Sequence, residues 1–247
     1  MTDFTALLPQ AAAFAKPPVS NFRVGAVARG TSGKTYLGAN LEFAGESLCF
    51  TVHAEQAAVV NAWMNGETGI DVVATSAAPC GYCRQFLNEL VTAGELVVVM
   101  GGEERKLSEL LPQSFGPRDL GVTSGLLAPA ANGLAIDEDD ALAQAALAAA
   151  NMSYAPYSKA YAGVALRTHA GTIVTGPYAE NAAFNPSLSP LEAALSQLNM
   201  SGGAWSDIAE AALVEAEAMH ASATHSVLKA IGDAPLRVIR TTGVLAG

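Results

Sequence analysis

Residues 19–30, VSNFRVGAVARG, are echoed by residues 157–168, YSKAYAGVALRT, at a constant offset of 138 positions. The same offset pairs six identical residues without a gap: Ser20 with Ser158, Gly25 with Gly163, Arg29 with Arg167, Gly33 with Gly171, Gly38 with Gly176 and Glu42 with Glu180. Chance does not account for so many ungapped matches across one hairpin-like segment. The sequence therefore predicts two similar domains that arose by duplication.

The first 120 residues alternate between helix and strand signals. Apolar runs predict strands at 22–28, 35–38, 71–75 and 96–100. Periodic segments predict helices at 4–16, 53–64 and 80–91. Short βαβ units of this kind indicate an α/β fold with a mostly parallel sheet and helices packed on it.

A stretch without clear periodicity separates the two halves. Residues 113–138 are rich in Pro, Gly, Ser and Ala, which is typical of a linker. We place the first domain at 1–120, the linker at 121–138 and the second domain at 139–247.

The bulk composition limits the classes of function. The chain has 247 residues, of which 51% are hydrophobic and 15% charged, as in ordinary globular proteins. Its formal net charge of -10 disfavours a nucleic-acid polymer as partner, because phosphate backbones are repelled. No stretch resembles a signal peptide or a membrane span. Three cysteines fit a reducing cytosol and a metal site better than a disulfide framework, so we expect a cytoplasmic protein.

Two short motifs carry the chemistry: residues 53–55, His-Ala-Glu, and residues 79–83, Pro-Cys-Gly-Tyr-Cys. One histidine and a Cys-x-x-Cys supply three ligands, one fewer than a closed structural zinc site, which leaves a position for water. Both motifs fall at predicted helix N-termini, where the helix dipole favours thiolates. Glu55 follows His53 closely enough to point at a metal-bound water and exchange protons with it.

Plainer interpretations exist for several of these residues. A lone Cys-x-x-Cys is more often a structural zinc knuckle or a redox pair, and only the upstream His-x-Glu favours catalysis. Phe22 is the first residue of a predicted apolar strand, which by itself predicts a core position. Asn40 and Glu42, taken alone, are predicted to be ordinary turn residues. Cys49 is expected to be a small buried side chain. The histidines without ligand partners, expected at the surface or as caps, are His169, His220 and His225.

The pattern H-x-E…P-C-x-x-C is the known signature of zinc nucleobase deaminases. Around it, the chain resembles the cytidine deaminase family, in the bacterial form with one active and one inactive domain. The resemblance rests on residues 20–26 (SNFRVGA), 40–43 (NLEF), 51–57 (TVHAEQA) and 79–85 (PCGYCRQ). It implies two tandem α/β/α domains, each with a mixed sheet flanked by helices.

The same resemblance implies a zinc-dependent hydrolase acting on a pyrimidine nucleoside in pyrimidine salvage. One zinc ion per chain would be bound by His53, Cys80 and Cys83. Hydroxide on this zinc would attack C4 of cytidine or 2′-deoxycytidine, with Glu55 as the proton shuttle. The implied substrate contacts are Phe22 against the pyrimidine, Asn40 and Glu42 at the ribose hydroxyls, the Ala54 N–H at the base carbonyl and the Ala78 carbonyl at the departing amine.

The second copy departs from the pattern. At the constant offset Leu191 stands opposite His53, and with a two-residue deletion Ser189 does, so neither alignment supplies a histidine. No cysteine follows Cys83, and the second domain is therefore predicted to be non-catalytic. In the family, the equivalent loop reaches the partner subunit's active site. This implies a homodimer in which Phe184 closes the neighbouring pocket.

Three other functions stay open at this point. A deaminase could act on a base analogue, a deoxynucleotide or RNA, although the net acidity disfavours polymers. A zinc-stabilised binding protein would leave Glu55 without a role. A redox protein using Cys80 and Cys83 would leave both His53 and Glu55 unexplained.

Overall fold

The computed structural model describes residues 4–244, which form two compact units. The first unit comprises residues through Glu42, Thr51–Ala128 and Asn181–Ser187. The second comprises Phe43–Phe50, Pro129–Glu180 and the residues from Leu188 onward. The division after residue 128 lies inside the predicted linker, and the bounds 1–120 and 139–247 stay predictions.

The first unit is built around one five-stranded sheet. Its strands are β1 (Gly25–Gly30), β2 (Thr35–Ala39), β3 (Ile70–Thr75), β4 (Val97–Met100) and β5 (Glu103–Lys106). Its helices are α1 (Leu8–Ala13), α2 (Ala54–Met64), α3 (Gly81–Leu87) and α4 (Leu107–Leu110). The strand order is β2-β1-β3-β4-β5, and β3–β4 is the one parallel pair in this sheet. The mixed sheet is confirmed, and the expectation of a mostly parallel sheet is wrong.

Tight turns explain why antiparallel pairs dominate. The turn between β1 and β2 contains Gly33 in the left-handed region, with φ of 84°. Gly101 and Gly102, with φ of 59° and 83°, join β4 to β5. Such short connections reverse the chain direction, whereas a parallel pair needs a long crossover. The helix α3 provides that crossover between β3 and β4.

The second unit repeats this plan with four strands. Its helices are α5 (Ala141–Met152), α6 (Pro190–Met200) and α7 (Ala221–Ile231). Its strands are β6 (Leu134–Ala135), β7 (Ala162–Thr168), β8 (Ile173–Pro177), β9 (Ile208–Glu215), β10 (Leu236–Arg240) and β11 (Gly243–Val244). The order β10-β9-β7-β8 mirrors β4-β3-β1-β2, again with one parallel pair in this sheet, β9–β10. Strands β6 and β11 form a separate two-stranded sheet.

None of the helices within residues 4–244 has the length and apolarity required to cross a membrane. The longest described helix, α5, has 12 residues. A spanning helix needs about 20.

Paired glycines let helices pack directly against the sheet in both units. A Cβ on Gly25 would lie 2.4 Å from the backbone nitrogen of Ala12 in α1, and one on Gly163 would lie 2.2 Å from that of Ala150 in α5. Since real side chains do not make such contacts, these positions require glycine. The shared sequence pattern therefore encodes close helix–strand packing rather than a phosphate-binding loop.

A second pair of glycines shows how helix α6 of the second unit corresponds to helix α2 of the first. A Cβ on Gly38 would lie 2.1 Å from the nitrogen of Ala58 in α2, and one on Gly176 would lie 2.1 Å from that of Ala194 in α6. Matching these contacts requires a two-residue deletion in the second unit. Of the two alignments that the sequence left open, the structure selects the one that places Ser189 opposite His53.

Candidate metal centre and substrate pocket

Three ligand-type side chains meet at the N-termini of α2 and α3. His53 and Cys80 are the residues directly before these helices, and Cys83 lies in the first turn of α3. The His53 Nδ1 atom is 3.2 Å from Cys83 Sγ and 3.6 Å from Cys80 Sγ, and the two sulfur atoms are 3.6 Å apart. Within residues 4–244 this is the one group of three or more His, Cys or acidic residues able to hold a metal ion.

The geometry of this cluster fits zinc. Bond lengths of about 2.0 Å to nitrogen and 2.3 Å to sulfur place the ligand atoms of a zinc tetrahedron roughly 3.5–3.8 Å apart. The observed separations of 3.2–3.6 Å are close to these values. A set of three protein ligands leaves a fourth position for water or substrate. The donor set and its spacing are therefore those of a catalytic rather than a closed structural site.

The two thiols of the cluster differ in acidity. The pKa of Cys80 is lowered to about 5, chiefly because the Cys83 thiol donates a hydrogen bond to its sulfur. The pKa of Cys83 is raised by that same shared proton and by burial. A bound cation favours the thiolate form of both side chains, since the thiolate is the metal ligand.

Two contacts orient the histidine ligand. The ring of Tyr82 stacks on His53, with centroids 4.9 Å apart and an interplanar angle of 20°. The backbone N–H of His53 donates to Oε1 of the fully buried Gln56, at 3.0 Å. Sequence reasoning gave neither residue a role. The spacing from 53 to 56 is that of a helix capping box, which was the available signal.

A cavity of about 270 Å³ opens beside the metal cluster. Every predicted site residue except Phe184 lines it: Phe22, Asn40, Glu42, His53, Ala54, Glu55, Ala78, Cys80 and Cys83. Ser20 and Thr51 also line it, and the sequence analysis assigned them no role. As the first residue of α2, Ala54 presents a backbone N–H without an intrahelical partner.

Glu55 is the acidic group next to the cluster. Its side chain is buried, with 3% exposure, and burial raises its pKa. A hydrogen bond with Cys83 and the charge of His53 oppose this shift. A carboxyl group held in this way can both accept and release a proton beside the metal position.

A polar part of the cavity wall, called the rim below, consists of Asn40 and Glu42, and backbone groups hold both side chains. Asn40 accepts from the N–H of Val24 and donates to the carbonyl of Phe22, both at 2.9 Å. Glu42 accepts from the N–H groups of Val19 and Ser20, both at 2.9 Å, and from the Ser20 hydroxyl. Burial alone would raise the pKa of Glu42, but these hydrogen bonds outweigh it and lower the pKa. The rim thus presents a fixed anionic acceptor.

The structure decides between the two interpretations of Phe22 and corrects the expectation for Cys49. Phe22 is not a core residue, since it is 61% exposed at the pocket and precedes β1, which begins at Gly25. Cys49 is exposed rather than buried, because it lies in a short surface turn of 3₁₀ helix. His220 is buried, with 6% exposure, and occupies the N-cap position of α7, one of the two places expected for it, without a capping hydrogen bond from its side chain.

In the second unit, other side chains occupy the positions equivalent to the metal cluster. Ser189 precedes α6 as His53 precedes α2, and the buried Leu191 takes the place of Glu55. His220 precedes α7 as Cys80 precedes α3. Its Nε2 lies 3.1 Å from the carbonyl of Ala160, and its ring packs on Tyr178 with centroids 4.4 Å apart. The structure places no metal cluster at these described positions.

Phe184 lies outside the cavity, on a segment that belongs to the first unit. It is 63% exposed and adopts a left-handed backbone, with φ of 60°. Buried polar groups of this unit hold the segment at three points. Asn181 Nδ2 donates to the Gln85 carbonyl, the Ala182 N–H donates to Glu89 and Gln56 Nε2 donates to the Pro186 carbonyl, at 2.9–3.1 Å.

Comparison with known proteins agrees with this site. The family model "Cytidine and deoxycytidylate deaminase zinc-binding region" matches residues 2–100, and a second model of the same description matches residues 107–227. A cytidine deaminase of Photobacterium profundum is 52% identical over 97% of this chain and 84% of the relative. One of Vibrio cholerae is 50% identical over 94% of this chain and 80% of the relative. A solved cytidine deaminase of Mycobacterium tuberculosis is 34% identical, with a TM-score of 0.43, over 47% of this chain and 99% of that one.

The α/β fold, the His-Cys-Cys cluster and the matching zinc-binding models together define a zinc-dependent hydrolytic deaminase. Its cofactor is zinc. The chain belongs to the cytidine deaminase family.

Proposed function

We propose that this chain converts cytidine and 2′-deoxycytidine to uridine and 2′-deoxyuridine, with release of ammonia. The proposal rests mainly on the observation that the buried Glu55 lines the same open cavity as the three ligand-type side chains. A structural zinc site has no need of a proton-carrying group, whereas deamination by water requires one. The naming of the relatives as cytidine deaminases supports cytidine as the substrate.

In this proposal, His53 Nδ1 and the sulfur atoms of Cys80 and Cys83 hold the zinc ion. Zinc, when bound, supplies a Lewis acid that makes water a nucleophile near neutral pH. The oxygen of the attacking water adds to C4, and the Glu55 carboxylate transfers its two protons, one to N3 of the base and one to the exocyclic nitrogen. The C4–N bond then breaks, a C4 carbonyl forms, and ammonia departs.

The rest of the pocket orients the base. The Ala54 N–H donates to the base carbonyl, and the Ala78 carbonyl accepts from the departing amine. The exposed ring of Phe22 packs on the pyrimidine, which would cover apolar surface that is otherwise solvated.

Asn40 and Glu42 bind hydroxyl groups of the sugar. The lowered pKa of Glu42 keeps it an anionic acceptor, which suits a hydroxyl donor. A phosphate at the same place would be repelled by this charge, so the proposal favours a free nucleoside over a substrate phosphorylated there.

The test is the ultraviolet difference spectrum of cytidine turning into uridine, with zinc content measured on the same protein. We expect turnover with about one zinc per chain, since a single cluster of this type is present in the described residues. Glu55→Gln should lower kcat by about 10²–10⁴-fold with zinc retained. Glu104→Gln, an exposed carboxylate on β5 of the same unit, is the matched control and should keep full activity.

The alternatives predict different results. A zinc-stabilised binding protein would hold zinc without turnover on either nucleoside. A redox pair would show titration of two thiols in metal-free protein and no dependence on Glu55. Turnover of a base analogue or a nucleotide alone would retain the mechanism and change the substrate.

We also propose that the chain acts as a cytoplasmic homodimer in pyrimidine salvage, with Phe184 of one subunit closing the partner's pocket. The 63% exposure of Phe184 on a tightly held segment is compatible with this role, because the side chain is accessible to a second subunit. Residues 1–120 would then be the catalytic domain and residues 139–247 the degenerate one. Sedimentation of the purified protein tests the assembly.

A further inference from the structure

The carboxylate of Glu42 has one hydrogen-bonding position left. A carboxylate accepts about four hydrogen bonds, two at each oxygen. Oε2 already receives the N–H groups of Val19 and Ser20, and Oε1 receives the Ser20 hydroxyl. The remaining capacity is therefore on Oε1, the oxygen that Ser20 engages.

The second unit retains part of the same arrangement without the metal cluster. Oε2 of Glu180, the equivalent of Glu42, accepts from the N–H groups of Tyr157 and Ser158 at 2.8 and 3.1 Å. The Ser158 hydroxyl accepts from the Ala160 N–H at 3.0 Å, just as the Ser20 hydroxyl accepts from Phe22 at 3.0 Å. Backbone capping by the glutamate thus serves the fold of each unit. It does not by itself explain why, in the first unit, the Ser20 hydroxyl also donates to Oε1 of a glutamate that lines the cavity.

We propose that Ser20 is a positioning residue for the substrate sugar: its hydroxyl fixes Oε1 of Glu42 so that this oxygen accepts a hydrogen bond from one sugar hydroxyl. The inference rests on the proposed sugar contact of Glu42. Ser20 also holds the N–H of Phe22, so one hydroxyl links the sugar acceptor to the aromatic side chain that meets the base. Without it, the carboxylate would keep its backbone contacts through Oε2 and lose the constraint on Oε1.

The test compares Ser20→Ala with Ser158→Ala, its equivalent in the second unit. The substrates are cytidine, 2′-deoxycytidine and 3′-deoxycytidine, with KM and kcat measured separately. We expect Ser20→Ala to raise the KM for cytidine about tenfold with little change in kcat, the size of one lost hydrogen bond to a charged group. Ser158→Ala should leave both constants unchanged, and Ser20→Thr, which keeps a hydroxyl, should restore most of the KM.

The analogues separate positioning from a general structural effect. The rise in KM caused by Ser20→Ala should disappear for the one deoxynucleoside that lacks the hydroxyl bound by Oε1. An equal rise for all three substrates, or an equal rise in Ser158→Ala, would overturn the proposal. Glu42→Gln distinguishes the two levels of argument. If Glu42→Gln raises the KM for cytidine and Ser20→Ala does not, only the positioning role of Ser20 is wrong. If Glu42→Gln leaves the KM unchanged, the proposed contact between Glu42 and the sugar is wrong as well.

Discussion

Glu192 in the second unit occupies the helix position that Gln56 holds in the first. Each is the third residue of its helix, and each accepts a hydrogen bond from the backbone N–H of the residue before that helix, at 2.8 Å and 3.0 Å. Gln56 provides this cap without a titratable group. Glu192 provides it with a buried carboxyl whose pKa is raised to about 7 by desolvation.

Glu192 should make stability fall as pH rises. The unfolded chain releases the proton near pH 4.5, while the folded chain retains it up to about pH 7. Between these values the folded state binds more protons, so the free energy of unfolding should fall by up to about 1.4 kcal/mol per pH unit. Glu192→Gln keeps an acceptor for the cap and should remove this slope. Urea unfolding at a series of pH values measures it.

A fluorescence reporter can restrict that measurement to the second unit. The chain has two tryptophans, Trp63 in the first unit and Trp205 in the second. In a Trp63→Phe background, the emission of Trp205 follows the second unit alone. The same slope with and without Glu192→Gln would show that another group causes it.

His220 should act in the opposite direction. Its Nε2 faces the Ala160 carbonyl, which can only accept, so Nε2 carries the proton when the ring is neutral. Burial lowers the pKa of His220, against the opposing charges of Glu215 and Glu180. The stability that this group contributes is therefore present above about pH 6.5 and is lost as pH falls below it, since the unfolded chain takes up the proton first.

The measurement is urea unfolding of the second unit at pH 5 and pH 7.5. His220→Gln retains an N–H donor and should reduce the loss of stability on acidification. His225→Gln, an exposed histidine on the same helix, should leave it unchanged. An unchanged acid response in His220→Gln would assign it to other groups.

Removal of one sulfur ligand should remove the metal. Cys83→Ser replaces a thiolate with a weak ligand, so zinc content and activity should both fall by at least about tenfold. Cys49→Ser changes an exposed cysteine outside the cluster and should retain both. Metal analysis and the cytidine assay on the two proteins decide this. Full zinc content in Cys83→Ser would mean that the metal lies elsewhere.

Phe184→Ala should raise the KM for cytidine by about tenfold, if this side chain closes a neighbouring pocket and loses its apolar contact. Phe115→Ala removes another exposed phenylalanine of the first unit and serves as the control. Kinetics and sedimentation are measured together at the same protein concentration. An unchanged KM in a stable dimer would contradict the role of Phe184.

Local patterns in the sequence predicted the metal cluster well. His53, Cys80 and Cys83 are each adjacent to a helix N-terminus, and the motif spacing by itself brings the two cysteines together. The repeated glycines likewise correspond to contacts in the structure, because Gly25 and Gly163 each pack against the backbone of the helix that precedes their strand. Both signals are local, and a short segment contains all the information that they need.

Features that depend on distant residues escaped the sequence. The burial of His220 is set by Ala160 and Tyr178, which lie far along the chain, and no local pattern reveals it. Sheet direction was also missed, because a strand's composition says little about the orientation of its partner. The sequence offered a two-residue deletion ahead of α6 as one of two alignments, and the contact of Gly176 with Ala194 decided between them.

The segment Asn181–Ser187 has a consequence for any shortened form of this chain, because it belongs to the first unit but lies far along the sequence. A chain ending at residue 128 would contain both metal motifs, yet it would lose the Pro186 carbonyl that accepts from buried Gln56 and the Ala182 N–H that donates to buried Glu89. Each buried polar group left unsatisfied costs about 1–3 kcal/mol, a large share of the net stability of a small domain. A chain cut at residue 128 should therefore fold less stably than the whole chain, although it would keep all three ligand-type side chains.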